Sequence, residues 1–327
     1  MVGWVVPARR SATGAQPASR SAATILPGTG RGTARSAVEG ALHRARRLRR
    51  APSTILRMVP HPVPGRIVAA LLLAGCAPVT ERQASAVHPT VVSLNPCSDA
   101  ILAEVAEPAQ LLAISHYSHD PRASSMPLVK ARRFRATAGT VEEVLALDPD
   151  VVVADPFIAP ATRAALERLG IRVEVLGIAA SIAESEAQIR QLAALAGHPA
   201  RGEAMVTEIE ATLAETRRTG QLPALLWQQG GLVPGEGTLA AELLAHAGFA
   251  SHSAARGMGQ GAYLPLEEVL AEPPRVILAA GSERAQAHPA LRSLDAPVAR
   301  LDSALLYCGG PTIPKLARRL AEVRDRL

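Results

Sequence analysis

Aromatic side chains are scarce in this chain of 327 residues, at 2% of the total. Proteins that bind single-stranded nucleic acid commonly stack bases on such rings. The formal net charge is +6, but it is unevenly placed: residues 1–66 carry 12 arginines and one glutamate, for +11, whereas residues 67–327 carry −5. The body of the protein therefore lacks the basic surface that a phosphate backbone requires, and we expect no nucleic-acid partner.

Familiar catalytic motifs are also missing. The sequence contains no P-loop, no G-x-S-x-G and no H-E-x-x-H. The glycine-rich stretch at 257–261 neither follows a convincing strand nor opens a helix, so it is predicted to be a cleft loop. Four aspartates lie near predicted strand ends without a nucleophile beside them: Asp99, Asp120, Asp155 and Asp302. We expect no catalytic residues; the alternative is an exported α/β enzyme with a carboxylate-based site.

No apolar run reaches the roughly 20 residues of a membrane-spanning helix. Residues 1–57 have no sustained apolar period and are predicted to be an unstructured extension or a mis-assigned start. Residues 65–76, GRIVAALLLAGC, have the pattern of an export signal. The last four, LAGC, resemble the lipobox of bacterial lipoproteins. We predict a signal over 58–76 and lipidation of Cys76, with a cleaved soluble signal as the alternative.

Cysteine is rare, with three residues in the chain. If Cys76 is lipidated, Cys97 and Cys308 are the only thiols left in an oxidising compartment, where pairing is the common fate. No C-x-x-C or Cys/His spacing indicates a structural zinc site. The sequence leaves three states open for Cys97 and Cys308: a disulfide, free thiols or soft ligands for a metal.

From Thr90 onward, short β-branched runs alternate with helical patterns, which predicts an α/β fold with largely parallel sheets. Ser98 is predicted to cap a helix over 99–105, and a second helix over 160–169 is predicted to end at Gly170. The predicted strands are Val91 to Leu94, Leu111 to Ile114, Val151 to Ala154, Val173 to Leu176, Ala224 to Trp227, Val276 to Ala279 and Val298 to Leu301.

The middle of the chain has a helical period over about 35 nearly continuous residues, interrupted at Gly197-His198-Pro199. It separates two strand-bearing halves of similar size. We therefore predict an N-terminal lobe over 77–180, a rigid connecting helical backbone over 181–218 and a C-terminal lobe over 219–327.

An internal repeat relates the two lobes. Residues 141–154, VEEVLALDPDVVVA, match residues 266–279, LEEVLAEPPRVILA, with 8 of 14 positions identical. The repeat places Glu142 and Glu267 at equivalent points, each in the first turn of a predicted helix. A carboxylate there also interacts favourably with the helix dipole, which is the ordinary structural explanation.

The order of these segments is familiar. VVSLNPCSDAILAEV, LLAISHYSHDP, the two repeat copies and the C-terminal LYCGGPTIPKLARRL resemble the periplasmic substrate-binding proteins of ABC importers for cobalamin, iron-siderophore complexes and haem. The resemblance implies two lobes joined by one rigid helix, with ligand in the cleft between them. It also implies that Glu142 and Glu267 dock into arginine pockets of a permease, although the adjacent Glu143 and Glu268 leave the assignment open by one residue.

Loops at the carboxyl ends of parallel strands are predicted to form the ligand site. Within LLAISHYSHDP, Tyr117 matches a tyrosine of the family that contacts ligand. His116 and His119 flank it, which suggests coordination of haem or a metal chelate, whereas a solvated polar loop is the alternative. No tryptophan lies near Ala136, where some cobalamin binders have one. The predicted ligand-binding residues are Asn95, Cys97, His116, Tyr117, Trp227, Tyr263, Asp302 and Tyr307.

Together these features predict an exported periplasmic protein, held to a membrane by a lipid anchor and monomeric. It captures a metal chelate and delivers it to an ABC permease, whose ATPase subunits supply the energy. We expect no cofactor or metal of its own. The sequence leaves the cargo open between a corrinoid, a ferric siderophore and haem.

Overall fold

The computed structural model of the chain describes residues 88–327. The predicted extension over 1–57, the predicted signal over 58–76 and Cys76 lie outside the described residues. In the described range, two α/β lobes each contain a parallel sheet. No helix in that range is both long and apolar enough to cross a bilayer.

The first lobe is a five-stranded parallel sheet with helices between its strands, in the order β3-β2-β1-β4-β5. Its central strands are fully buried, as expected for a parallel sheet covered on both faces. Its elements are β1 (Val91–Ser93), α1 (Pro96–Val105), β2 (Leu111–Ser115), α2 (Leu128–Ala131), β3 (Ala136–Thr137), α3 (Val141–Leu145), β4 (Val151–Ala154), α4 (Pro160–Arg168) and β5 (Arg172–Val175).

The start of α1 differs from the prediction. Asn95, not Ser98, is the N-cap residue: its side-chain oxygen accepts hydrogen bonds from the backbone N–H groups of Cys97 at 2.7 Å and Ser98 at 3.3 Å. Pro96 occupies the first helical position, where its fixed φ suits a helix and no N–H is needed. The helix therefore starts three residues earlier than predicted, and Cys97 lies in its first turn.

The connecting helical region is a hairpin, not the nearly continuous helix that was predicted. It consists of α5 (Ile182–Leu195) and α6 (Pro199–Thr216), and the chain reverses between them at Gly197, whose φ is +80°. Arg190 of α5 binds Glu203 of α6 at 3.0 Å. Gly202 permits close packing, because a Cβ there would lie 2.5 Å from that of Ala193.

The second lobe has a four-stranded parallel sheet in the order β11-β10-β6-β8 and a small antiparallel pair, β7-β9. It follows α6 directly and ends with α10. Its elements are β6 (Leu222–Gln228), β7 (Leu232–Val233), α7 (Leu239–His246), β8 (Phe249–Ser251), α8 (His252–Ala255), β9 (Ala262–Tyr263), α9 (Leu266–Ala271), β10 (Val276–Ala280), β11 (Val298–Leu301) and α10 (Ile313–Asp325).

A hydrophobic core continues from one lobe to the other through the helices. One cluster of buried side chains includes Ile101 of α1, Ile189 of α5, Leu226 of β6 and Leu316 of α10. Each of these side chains is at most 3% exposed. Because the lobes share this core, moving them apart would expose apolar surface to water, which opposes wide opening.

Candidate functional site

A cavity of about 420 Å³ lies where the two lobes face each other. The first lobe contributes residues just after β1, β4 and β5, represented by Asn95, Asp155 and Leu176. The second contributes Gln228 at the end of β6 and the segment 305–309 before α10. These positions are the carboxyl ends of parallel strands and the loops that follow them, where ligands bind in open α/β sheets.

Asn95 organises the wall of the first lobe. While its oxygen caps α1, its amide nitrogen donates to Asp155 Oδ2 at 2.9 Å. Asp155 Oδ1 in turn accepts from the backbone N–H of Phe157 at 2.7 Å. This chain of hydrogen bonds connects the loop after β1 to the loop after β4, and it sets the backbone position of Phe157 at the mouth of the cavity.

Cys97 and Cys308 meet across the cavity wall. Cys97 is in the first turn of α1 in the first lobe, Cys308 precedes α10 in the second, and both line the cavity. Their Cα atoms are 5.2 Å apart, within the range of a disulfide, and the structure records that bond. Of the three states left open by the sequence, the disulfide is the one that this geometry favours.

Tyr307 also lines the cavity, beside the disulfide. Its hydroxyl is buried and finds no hydrogen-bond partner among the described residues. An unpaired buried hydroxyl is costly, because it loses its water without gaining a partner. Of the predicted ligand-binding residues, the structure therefore brings Asn95, Cys97 and Tyr307 to the cavity.

The loop that carries His116 and Tyr117 lies outside the cavity lining. Both side chains are exposed, with ring centroids 4.1 Å apart, and Tyr117 keeps 54% of its surface accessible. His119 turns back towards α2, with Nε2 3.1 Å from the carbonyl oxygen of Ala131. The three side chains do not converge on one point. Among residues 88–327, no group of three or more His, Cys, Asp or Glu is arranged to hold a metal ion.

Asp99 of α1 anchors the loop that carries His116 and Tyr117 by hydrogen bonds. Its Oδ2 accepts from the backbone N–H of Ser115 at 3.0 Å and from the Ser118 hydroxyl at 2.6 Å, so it fixes both sides of the turn that bears Tyr117. The carboxyl is fully buried, which raises its pKa to about 8, although hydrogen bonds from Ser118, Ser93 and Ser115 oppose the shift. Oδ1 has no hydrogen-bond partner within the described range.

Trp227 was predicted to bind ligand, but the structure places it in a hydrophobic core. It is 1% exposed, packs in a core cluster with Leu225 and Ile277, and donates its indole N–H to the carbonyl oxygen of Leu264 at 3.0 Å. It does not line the cavity. Its neighbours along β6, Leu226 and Ala224, pack in a different cluster, because successive strand residues point to opposite faces of the sheet.

Two other predicted residues lie near the cleft but outside the cavity lining. Asp302, after β11, is exposed, and its Oδ1 caps a short turn by accepting from the N–H of Ala304 at 2.9 Å. Tyr263 of β9 is 61% exposed, and its ring covers Gly231. The sequence predicted both as ligand-binding residues, but neither forms part of the cavity wall.

Several cavity residues were not predicted from the sequence. Phe157 is 78% exposed although it lines the cavity, and Gln188 comes from α5, which the sequence did not place at the site. The available signal for Phe157 was its position directly after β4, in Asp155-Pro-Phe157. No local signal marked Gln188, because it enters the site through the packing of α5 beside the segment after β5, where its side chain donates to the Gly177 carbonyl oxygen.

The repeat places two glutamates at exposed sites on the two lobes. Glu142 and Glu267 are exposed in the first turns of α3 and α9, without an ion pair or side-chain hydrogen bond in the described part of the chain. Their neighbours are engaged internally. Thr137 Oγ1 and Ala138 N donate to Glu143, and Arg256 binds Glu268 at 3.0 Å.

Comparison with known proteins gives a consistent fold. The family described as "Periplasmic binding protein" matches residues 91–296. No curated protein matches the chain.

Solved structures with this fold include the periplasmic heme-binding protein RhuT from Roseiflexus sp. RS-1, with TM-score 0.58, 20% identity and coverage of 73% of this chain and 97% of that one. Another is the vitamin B12 binding protein BtuF of Vibrio cholerae, with TM-score 0.57, 17% identity and coverage of 73% and 99%. A possible iron-binding protein from Staphylococcus epidermidis has TM-score 0.56, 13% identity and coverage of 73% and 98%. At such identities, the likeness shows the fold alone.

Proposed function

Because the chain belongs to the periplasmic binding protein family, we propose that it is the cargo receptor of an ABC import system, capturing a metal chelate between its lobes. The observation that carries the proposal is the cavity formed jointly by both lobes at the carboxyl ends of their strands. A site built this way holds a small molecule by enclosing it and requires no reaction on it.

The proposed cargo is a corrinoid, a ferric siderophore or haem. Support comes from the fold neighbours, whose names refer to heme, vitamin B12 and iron. The cavity wall suits a flat or rounded chelate, because Phe157, Ile178 and Leu232 expose apolar surface around it while Tyr307 provides a ring and a hydroxyl inside. In the proposed complex Tyr307 packs on the ligand and donates its free hydroxyl proton to a ligand oxygen or nitrogen. His116 and Tyr117 contact the part of the cargo that projects beyond the cavity.

Binding is favoured over an enzymatic function by the ionisable groups of the cavity. Among the described lining residues, Asp155 is the only carboxylate and no histidine or lysine accompanies it. The two oxygens of Asp155 accept from Asn95 and from the Phe157 N–H, so the carboxylate activates none of the hydroxyls of the lining through these bonds. Carboxylate-based catalysis usually needs a pair of groups with different protonation states. A single hydrogen-bonded aspartate fits a role in organising the wall.

Delivery of the cargo is proposed to depend on Glu142 and Glu267. They are exposed and unpaired in the described structure, one on each lobe, whereas Glu143 and Glu268 are held by their own lobes. This contrast supports the first glutamate of each pair as the docking residue. Carboxylates that meet arginines on a permease form directed, bidentate contacts. Lipidation of Cys76 is proposed to keep the receptor at the membrane, outside the cytoplasm and near its importer.

The test is a titration of the purified full chain with cyanocobalamin, haemin and ferrichrome, followed by visible absorbance and equilibrium dialysis. We expect submicromolar, saturable binding of one of them. Tyr307→Phe tests the hydroxyl and should weaken that binding by about tenfold, as expected for one lost hydrogen bond. Leu169→Ala, at an exposed apolar position at the end of α4 outside the cavity, is the control and should leave affinity unchanged. Absence of binding by all three chelates contradicts the proposed function.

A further inference from the structure

The cavity wall lacks positive charge. Among the described lining residues none is lysine, arginine or histidine, and Asp155 is the only one that carries a charge. Its oxygens accept from the side-chain amide of Asn95 and the backbone N–H of Phe157, so no cation neutralises it through these bonds. An empty cleft therefore presents a negative charge to an incoming ligand.

Arg122 does not line the cavity, and it is paired with Asp120 on the surface. The pKa of Arg122 is raised, chiefly by its side-chain hydrogen bond to Asp120 and also by the charge of that residue, with a smaller effect from Tyr307. Arg122 Nε and Nη2 bind the two carboxylate oxygens of Asp120 at 3.2 and 3.1 Å. This bidentate pair has no net charge, so Arg122 attracts an anionic ligand less than an unpaired arginine would.

Carboxamides supply much of the polar surface of the cavity. Asn95, Gln188, Gln228 and Gln260 all line it, from both lobes. Gln188 donates to the carbonyl oxygen of Gly177 at 2.7 Å, and within residues 88–327 the side chains of Gln228 and Gln260 have no hydrogen-bond partner. An amide offers both a donor and an acceptor, so these groups match neutral amides and hydroxamates on a ligand.

We propose that this cleft selects an uncharged or cationic chelate with a periphery of amide and alkyl groups, and that it rejects anionic chelates. The inference rests on the proposed receptor function and narrows its cargo. The physical reason is that a carboxylate or catecholate loses its water on entry and finds no cation in return, while Asp155 repels it.

The test compares five chelates of graded charge on the full chain by equilibrium dialysis. Ferrioxamine B is cationic, ferrichrome and cyanocobalamin carry no net charge, and haemin and ferric enterobactin are anionic. We expect at least one of the first three to bind about 100-fold more tightly than either anion, an estimate from two unscreened charges at short range.

Asp155→Asn provides a second, independent measurement. The amide oxygen can still accept from the Phe157 N–H, so that side of the loop keeps its hydrogen bond while the charge is removed, whereas the hydrogen bond from the Asn95 amide nitrogen is lost. We expect the preference for cationic or neutral over anionic chelates to fall by about tenfold. Asp295→Asn is the matched control, because Asp295 is exposed at the amino end of β11, away from the cavity.

Three results would overturn the inference. Tighter binding of haemin or ferric enterobactin than of the other three would reject the charge rule while leaving the receptor function in place. An unchanged preference in Asp155→Asn would remove Asp155 as its cause and count against the rule. If none of the five chelates binds, the receptor function itself fails, and the charge rule fails with it.

Discussion

The two lobes hold equivalent surface helices by different contacts. In the first lobe, Thr140 caps α3 and the second glutamate of the repeat, Glu143, binds the end of β3. In the second lobe, Pro265 precedes α9 without a side-chain cap, and Glu268 binds Arg256 of the neighbouring loop instead. The internal partners have thus changed, while the first glutamate of each copy remains exposed.

The comparison distinguishes glutamates that stabilise their own lobe from glutamates that are free to contact another protein. Glu143 and Glu268 have partners inside their own lobes, so structure alone explains a carboxylate at each position. Glu142 and Glu267 have no such partner in the described structure, and the helix dipole is the remaining internal reason for a charge there. Glu142 and Glu267 contribute little to the stability of the fold, and with one on each lobe they are well placed to contact another protein.

The largest expected effect comes from reversing both exposed charges. Glu142→Arg combined with Glu267→Arg should reduce cargo uptake by cells at least about 100-fold, because two charge-paired contacts with the permease become repulsive. Cargo affinity of the purified protein should not change, since neither residue lines the cavity. Single reversals will show whether the two lobes contribute equally.

Glu208→Arg combined with Glu215→Arg is the matched control for this experiment. Both glutamates are exposed on α6, so the change in net charge is the same while the proposed docking surface stays intact. Uptake should remain near the wild-type level. An equal loss in the control, or a loss of cargo affinity in the Glu142 and Glu267 variant, would rule out docking as the explanation.

The disulfide that joins the lobes should raise the free energy of unfolding of the protein. Cys97→Ser combined with Cys308→Ser should lower the free energy of unfolding by about 2–5 kcal/mol, the usual range for a native disulfide. Because the lobes still share a hydrophobic core, we expect the variant to unfold in one urea transition at a lower midpoint. A single transition at the wild-type midpoint would show that the bond contributes nothing. Wild-type protein treated with a reducing agent should behave like the variant.

A smaller difference between the lobes concerns a buried carboxyl group. Among the described residues, Asp99 in the first lobe is the only fully buried carboxylate. Its pKa is raised by burial to about 8, so the folded state keeps a proton that the unfolded state releases near pH 4. Stability from this group is therefore full below pH 4 and decreases as pH rises to 8, with a maximum slope of about 1.4 kcal/mol per pH unit.

Asp99→Asn tests this expectation because an amide does not ionise in that range. Its urea midpoint should change less than that of wild type between pH 5 and pH 8, although the variant is less stable at pH 5 because an amide N–H₂ replaces an oxygen that already lacks a partner. Asp148→Asn, at an exposed position, is the control. Parallel midpoint curves for wild type and Asp99→Asn would show that Asp99 is ionised throughout.

Much of the fold was predictable because parallel strands buried on both faces leave a simple pattern. All seven predicted strands are present, since each is a short apolar run before a turn. The two-residue strands β3, β7 and β9 and the three-residue strand β8 were missed, because such short segments have no period to detect. The reversal between α5 and α6 was also missed: Gly197 marked the break, but the direction of the second helix depends on contacts between the helices, such as Gly202 with Ala193 and Arg190 with Glu203.

The site was less predictable than the fold. The prediction from strand ends agrees with the structure in so far as Asn95, Cys97 and Tyr307 line the cavity, because topology brings those loops to the cleft; that they bind ligand stays a prediction. Trp227 was placed there wrongly, since it lies one residue before the end of β6 and its side chain points into a helix-covered face. The alternation of Ala224 and Leu226 with Leu225 and Trp227 contained that information.

The bond between Cys97 and Cys308 also has a consequence for biosynthesis. The two residues are 211 positions apart, so the bond has to wait until almost all of the described chain has been synthesised. The first lobe, the helical hairpin and most of the second lobe are therefore made before Cys97 can pair with Cys308. A chain interrupted before Cys308 has no covalent connection across the wall of the cavity.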